Sequence, residues 1–147
     1  MRKYENFCKA YDNLAKSIVK EPPYDTVTLT GLVGLFEIAF EQSWKMMKEI
    51  LEYNGYSGSS TGSPRTIIKT AFAAGMINDE KSWLAALVAH NNVAHSYNEK
   101  IAMSIINETK DVFASMFLEL KNTVEKDWME LSYQAQLIRA QLYDKPV

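Results

Sequence analysis

Apolar and aromatic side chains recur along most of this chain at steps of three and four residues, the spacing that lines up one face of a helix. Tyr4, Phe7, Cys8, Tyr11, Leu14, Ala15 and Ile18 form the first such stripe, which Pro22 and Pro23 end. Leu32, Phe36, Ala39, Phe40, Trp44, Met47 and Leu51 form a second, longer one over 29–52, with Thr26 or Thr28 as its expected cap. Glycines and serines from Asn54 to Ser63 mark a loop. Ser63 followed by Pro64 then predicts a helix start, because serine accepts orphan amide protons and proline fits the first helical turn. Gly75 is placed to end that short helix, and Asn78 or Asp79 to cap the next, which carries Trp83, Leu84, Leu87 and Val88. A further stripe runs from His95 to Leu120, and Thr123 to Tyr143 predicts a last amphipathic helix. No segment alternates as a strand does. The expected fold is all-α, an up-and-down bundle of four long helices with one or two short ones, in a single domain over 1–147.

Composition narrows the function classes. At 147 residues, 47% hydrophobic and 23% charged, the chain has the size and make-up of one globular domain. Lys plus Arg is 16 and Asp plus Glu is 18, a formal net charge of −2, so bulk charge gives no general attraction to duplex nucleic acid. Cys8 stands alone, which excludes an intrachain disulfide framework and a multi-cysteine zinc site and suits a reducing compartment. The first twenty residues carry Lys3, Glu5, Lys9, Asp12, Lys16 and Lys20, too many charges for a secretory leader, and no apolar run approaches the roughly 20 residues of a membrane span. A cytoplasmic protein with no membrane partner is expected. The glycine-rich loop lacks the Gly-Lys-Ser/Thr of a phosphate cradle and reads as a helix connection.

The polar residues gather in one place. His90, Asn91, Asn92, His95, Ser96, Tyr97, Asn98 and Glu99 include both histidines of the chain. On one continuous helix His95 would share a face with Asn91 and with Glu99, whereas His90 and His95 would stand about 140° apart. A kink after Val88, or a second subunit, would be needed to bring both imidazoles to one target. An imidazole can take a hydroxyl proton and return it to a leaving group, so His95 is a candidate for metal-free RNA cleavage or for an interface hydrogen bond. His90 can carry positive charge toward a phosphate only while protonated. Asp79, Glu80 and Glu99, or the two histidines, have no metal-ligand spacing, and no metal is expected. Glu37, Glu41 and Lys45 are spaced as a helix-surface ladder; alternatively Glu37 or Glu41 faces the cleft and orients His95 or Tyr97. The Tyr97 phenol can serve as a hydrogen-bond donor, an interface contact or an acceptor of a transferred nucleotidyl group.

Three segments, FEIAFEQSWK from Phe36 to Lys45, SPRTIIKTAFAAGMI from Ser63 to Ile77 and WLAALVAHNNVAHSYNE from Trp83 to Glu99, together resemble the nucleotidyltransferase substrate-binding proteins of the HEPN superfamily. The resemblance covers roughly residues 3–120, leaving a C-terminal helical extension over 121–143. It implies a compact homodimeric helical bundle that associates with a minimal nucleotidyltransferase protein. Toxin members of that superfamily are metal-independent ribonucleases acting on RNA through an arginine, four intervening residues and a histidine, followed after one residue by tyrosine. The histidine matches His95 and the tyrosine matches Tyr97, while His90 occupies the arginine position and Asn91 the polar position after it. A partner nucleotidyltransferase using ATP and magnesium can transfer adenylyl groups to that tyrosine, which by resemblance nominates Tyr97; no cofactor is implied for this chain itself. Imidazole lacks the fixed charge and the bidentate fork of arginine. The expected function is therefore a nucleotidyltransferase-associated substrate-binding or regulatory subunit of a toxin–antitoxin-like pair, with an endoribonuclease weakened or lost through His90 as the alternative.

Overall fold

A computed structural model describes residues 2–56 and 62–129. Helix α1 (Arg2–Ser17) buries Phe7, Ala10 and Leu14. Helix α2 (Thr26–Tyr53) follows, then α3 (Pro64–Ala73) and α4 (Glu80–Asn91). A 3-10 turn, Asn92–His95, leads to α5 (Glu99–Glu108). The chain then continues through a π-helical turn, Thr109–Phe113, into α6 (Ala114–Thr123) and a second π-helical turn, Val124–Trp128. The described residues contain no strand, and the all-α bundle expected from the periodicity is what forms.

The helix ends follow local chemistry. Ser63 Oγ accepts the Thr66 amide at 3.4 Å ahead of Pro64. Gly75, at φ +82°, ends the turn after α3 in a left-handed conformation open to glycine at little cost. Asp79 accepts from both the amide and the hydroxyl of Ser82. At the start of α2 the expected threonines are displaced by their neighbour: Asp25 is the cap, its Oδ1 accepting from the Thr28 amide at 2.7 Å. A charged carboxylate is the stronger acceptor at a helix N-terminus, where the dipole favours negative charge.

Two other expectations are corrected. The helix expected from His95 begins at Glu99, because Asn98 Oδ1 accepts from the amides of Lys100 and Ile101 and fixes the first turn there. The separate helix expected from Thr123 is instead a continuation of α6 through the second π-helical turn, with Val124 and Trp128 buried; residues 130–143 of that expectation lie outside the described residues.

Helix α2 is the spine, packed against α1, α3, α4 and α5, while α1 also meets α6. Phe36 sits at the centre, stacked on Phe113 at 5.3 Å between ring centroids, and Phe117 meets both Phe7 and Trp83 edge-on. At its rim the Tyr4 hydroxyl donates to Glu125, which Lys121 also holds at 3.0 Å. These two partners keep the Glu125 carboxyl below its usual range, and burial, reinforced by Glu125, pushes the Tyr4 phenol up. No described helix is long and apolar enough to cross a membrane.

Candidate functional site

Helix α4 stops where its apolar spacing gives way to polar residues. Asn92 ends it, and the next four residues tighten into the 3-10 turn, closed by the Ser96 amide on Val93 O at 3.0 Å and the Asn98 amide on His95 O at 3.1 Å. The break therefore falls between Asn91 and Asn92, three residues after the Val88 position at which a kink could bring both imidazoles together. It divides the polar cluster into a helical part, His90 and Asn91, and a turn that projects His95 and Tyr97.

The two histidines take different partners. His90, on the last turn of α4, is partly buried, with 21% of its side chain accessible. Its Nε2 lies 2.7 Å from Glu41 Oε1, and its ring packs on Phe40 at 5.0 Å between centroids. Glu41 Oε2 is 3.6 Å from Lys45 Nζ, so one carboxylate on α2 stands between two nitrogen groups. His90 Nδ1 is buried without a hydrogen-bond partner. An imidazole held this way has its orientation set by the carboxylate, and any charge it carries is balanced by Glu41.

His95 and Tyr97 are exposed. The Tyr97 side chain is 88% accessible, and its ring lies edge-on to His95 at 6.5 Å between centroids. Glu41 pairs with His90, and among the described residues neither His95 nor Tyr97 has a hydrogen bond to a carboxylate of α2. Glu37 sits half-buried one turn earlier with no ion pair or side-chain hydrogen bond among the described residues, and Asn91 is exposed. The ladder of Glu37, Glu41 and Lys45 is thus realised in its second rung. The pairing of Glu41 with His90 was missed from sequence; both residues lay within the segments singled out, but nothing in their spacing joins positions 41 and 90.

Two of the three acidic residues considered for a cation have other partners. Asp79 caps α4, where the Ser82 hydroxyl and amide hold its carboxyl below the usual range, and Glu80 reaches Lys69 at 3.6 Å. Among the described residues no three His, Cys, Asp or Glu side chains converge in a way that could hold a metal.

The profile of proteins described as nucleotidyltransferase substrate binding protein like matches residues 2–126. The chain belongs to this family. The match extends slightly beyond the 3–120 read from sequence, and takes in the start of the second π-helical turn. A curated relative, the probable ribonuclease HepT of Haemophilus influenzae, is 29% identical over 93 residues, which is 61% of this chain and 64% of that protein. A Haemophilus influenzae structure, described as revealing the fold of a substrate binding domain of a nucleotidyltransferase, superposes with a TM-score of 0.73 at 21% identity, covering 84% of this chain and 99% of its own. A Thermus thermophilus protein gives the same TM-score of 0.73 at 24% identity, covering 82% of this chain and 99% of its own. Both likenesses show a shared fold.

Proposed function

We propose that this family member is the helical subunit of a two-protein, toxin–antitoxin-like system, binding a minimal nucleotidyltransferase and receiving an adenylyl group on Tyr97. The observation that carries the reading is the exposure of the Tyr97 phenol on a turn held by backbone hydrogen bonds, where a second protein can reach it. In the transfer, Tyr97 Oη attacks the α-phosphorus of ATP, the bond to the pyrophosphate group breaks, and the phenolic proton is lost. ATP and magnesium belong to the partner in this reading. His95 stands beside the acceptor, while His90, on the last turn of α4 from which the turn departs, is held to Glu41. The chain acts as a homodimer in the same reading, supported by Val88 on α4, an apolar side chain 58% exposed beside an open groove between α4 and α5.

The test is intact mass after incubation with the neighbouring nucleotidyltransferase, ATP and magnesium. The expected result is a gain of one adenylyl group, absent in Tyr97→Phe. No gain, with the partner active on a control acceptor, would overturn it. Light scattering of the purified chain checks the dimer.

A second reading has its own support, the similarity to a probable ribonuclease and the accessibility of His95. Here His95 takes the proton of an RNA 2′-hydroxyl, the 2′-oxygen bonds to the adjacent phosphorus, and the 5′-oxygen leaves with the returned proton. Cleavage of RNA in the presence of a chelator, lost in His95→Ala, is its expected signature; cleavage unchanged in that variant would remove His95 from the role.

A further inference from the structure

One face of α2 carries charge that the Tyr97 reading does not use. Trp44, Lys45, Lys48, Glu49 and Glu52, with Lys3 of α1, line an open cleft of about 340 Å³. That volume lies at the small end of the range of small-molecule sites, about 300–1,000 Å³. The three lysines outnumber the two glutamates. By contrast, the cleft between the α3–α4 connection and α6 contains Asp79 and Glu119 and no basic side chain. Lys3 and Lys48 have no ion pair among the described residues, and Lys45 has only the 3.6 Å contact with Glu41. Their ammonium groups are therefore available to an anion.

Trp44 gives the cleft its second property. Its side chain is half-buried, and its indole Nε1 is enclosed without a partner, so the ring presents carbon to the cleft. An aromatic surface beside cations is the combination that binds a nucleobase and its phosphate together, and it is tolerant of base identity. An acidic peptide would use the lysines but leave the indole idle, whereas a nucleotide uses both.

We propose that this cleft is a nucleotide-binding site, with one base lying against Trp44 and the attached phosphate held by Lys3, Lys45 and Lys48. Glu41, shared by Lys45 and His90, links the cleft to the end of α4. The proposal does not depend on modification of Tyr97, and its test uses the full-length chain alone, without partner or magnesium.

The probes are adenosine monophosphate, followed by calorimetry, and a short fluorescein-labelled oligoadenylate, followed by anisotropy across a salt series. Both Lys45→Ala/Lys48→Ala and Trp44→Leu are expected to weaken binding about tenfold or more, in line with the energy of a stacked base and its phosphate contacts. The double lysine variant should also flatten the salt dependence, each lost phosphate contact removing about 0.7 from the logarithmic slope. Lys48→Arg should retain binding, and Lys81→Ala, at the far end of α4, should have no effect. Circular dichroism confirms that each variant keeps its helices. Competition by adenosine monophosphate identifies a site for free nucleotide; binding of the oligonucleotide without such competition identifies a site for a strand. Absence of binding by both probes, or binding insensitive to the lysine and tryptophan changes, would overturn the proposal.

Discussion

Position 90, where the family resemblance implies an arginine, holds a histidine, and the structure shows what it does there. Its Nε2 is committed to Glu41 at 2.7 Å and its ring to Phe40, so it acts first as a tie between α4 and α2. If cleavage of RNA is weak because a fixed cation is missing, His90→Arg should raise it tenfold or more, since a permanent, planar donor can face both Glu41 and a phosphate. Initial rates on RNA with chelator present, compared with His90→Arg/His95→Ala, check this; a rate that does not rise assigns position 90 to structure alone. Removing the other partner has a different consequence. Glu41→Ala leaves a partly buried imidazole and Lys45 without their shared carboxylate, and melting should fall by an amount corresponding to roughly 1–3 kcal/mol. This tie was not legible in the sequence, where Glu41 looked like a rung on a surface ladder. Local spacing predicts neighbours on one helix, and a contact between residues 41 and 90 is made only when two helices pack.

Among the elements, the starts of α3 and α4 were the most legible, because Ser63, Pro64, Gly75 and Asp79 act through hydrogen bonds and backbone angles within a few residues of themselves. The start of α2 was misplaced for the same reason, since Asp25, Thr26 and Thr28 all offer an oxygen within one turn and only the geometry selects Asp25. These caps also predict how the bundle responds to acid. Hydrogen bonds from Ser82 hold the Asp79 carboxyl below its ordinary value of 3.8, and the Thr28 amide does the same for Asp25. A carboxyl that is more acidic in the folded state stabilises the fold above the unfolded-state value and loses that contribution as pH falls through the folded-state value. Thermal stability should thus hold down to about pH 5 and decline below pH 4. Asp79→Asn, which can still cap, should keep its neutral-pH melting temperature and show a shallower decline in acid. Asp79→Ala should lose about 1 kcal/mol or less at neutral pH, read from denaturant midpoints. Identical acid profiles for wild type and Asp79→Asn would show that this cap is not among the groups responsible.

For the molecule as a whole, one aromatic centre joins most of the helices. Phe36 has no accessible surface and touches Phe40, Phe113 and Phe117, so Phe36→Ala should cost about 3–5 kcal/mol, a large part of the stability of a domain this size. A urea midpoint unchanged in that variant would contradict the packing described. The bundle itself was readable from its three- and four-residue period. The path from Glu99 to Met129 was harder, because its two π-helical turns keep the average spacing of a helix while each takes in one residue more than an α-helical turn needs. That surplus has a consequence for how the gene can change length. Deleting exposed Asp111 should let Thr109–Phe113 close into an ordinary turn while Phe113 and Phe117 keep their inward direction. Deleting exposed Ile38 from the uninterrupted α2 instead rotates every later side chain of that helix by about 100°, carrying Phe40, Met46 and Met47 away from the core. Cooperative melting should survive the first deletion and vanish with the second, making the final helical path the place where this protein can absorb the loss of a codon.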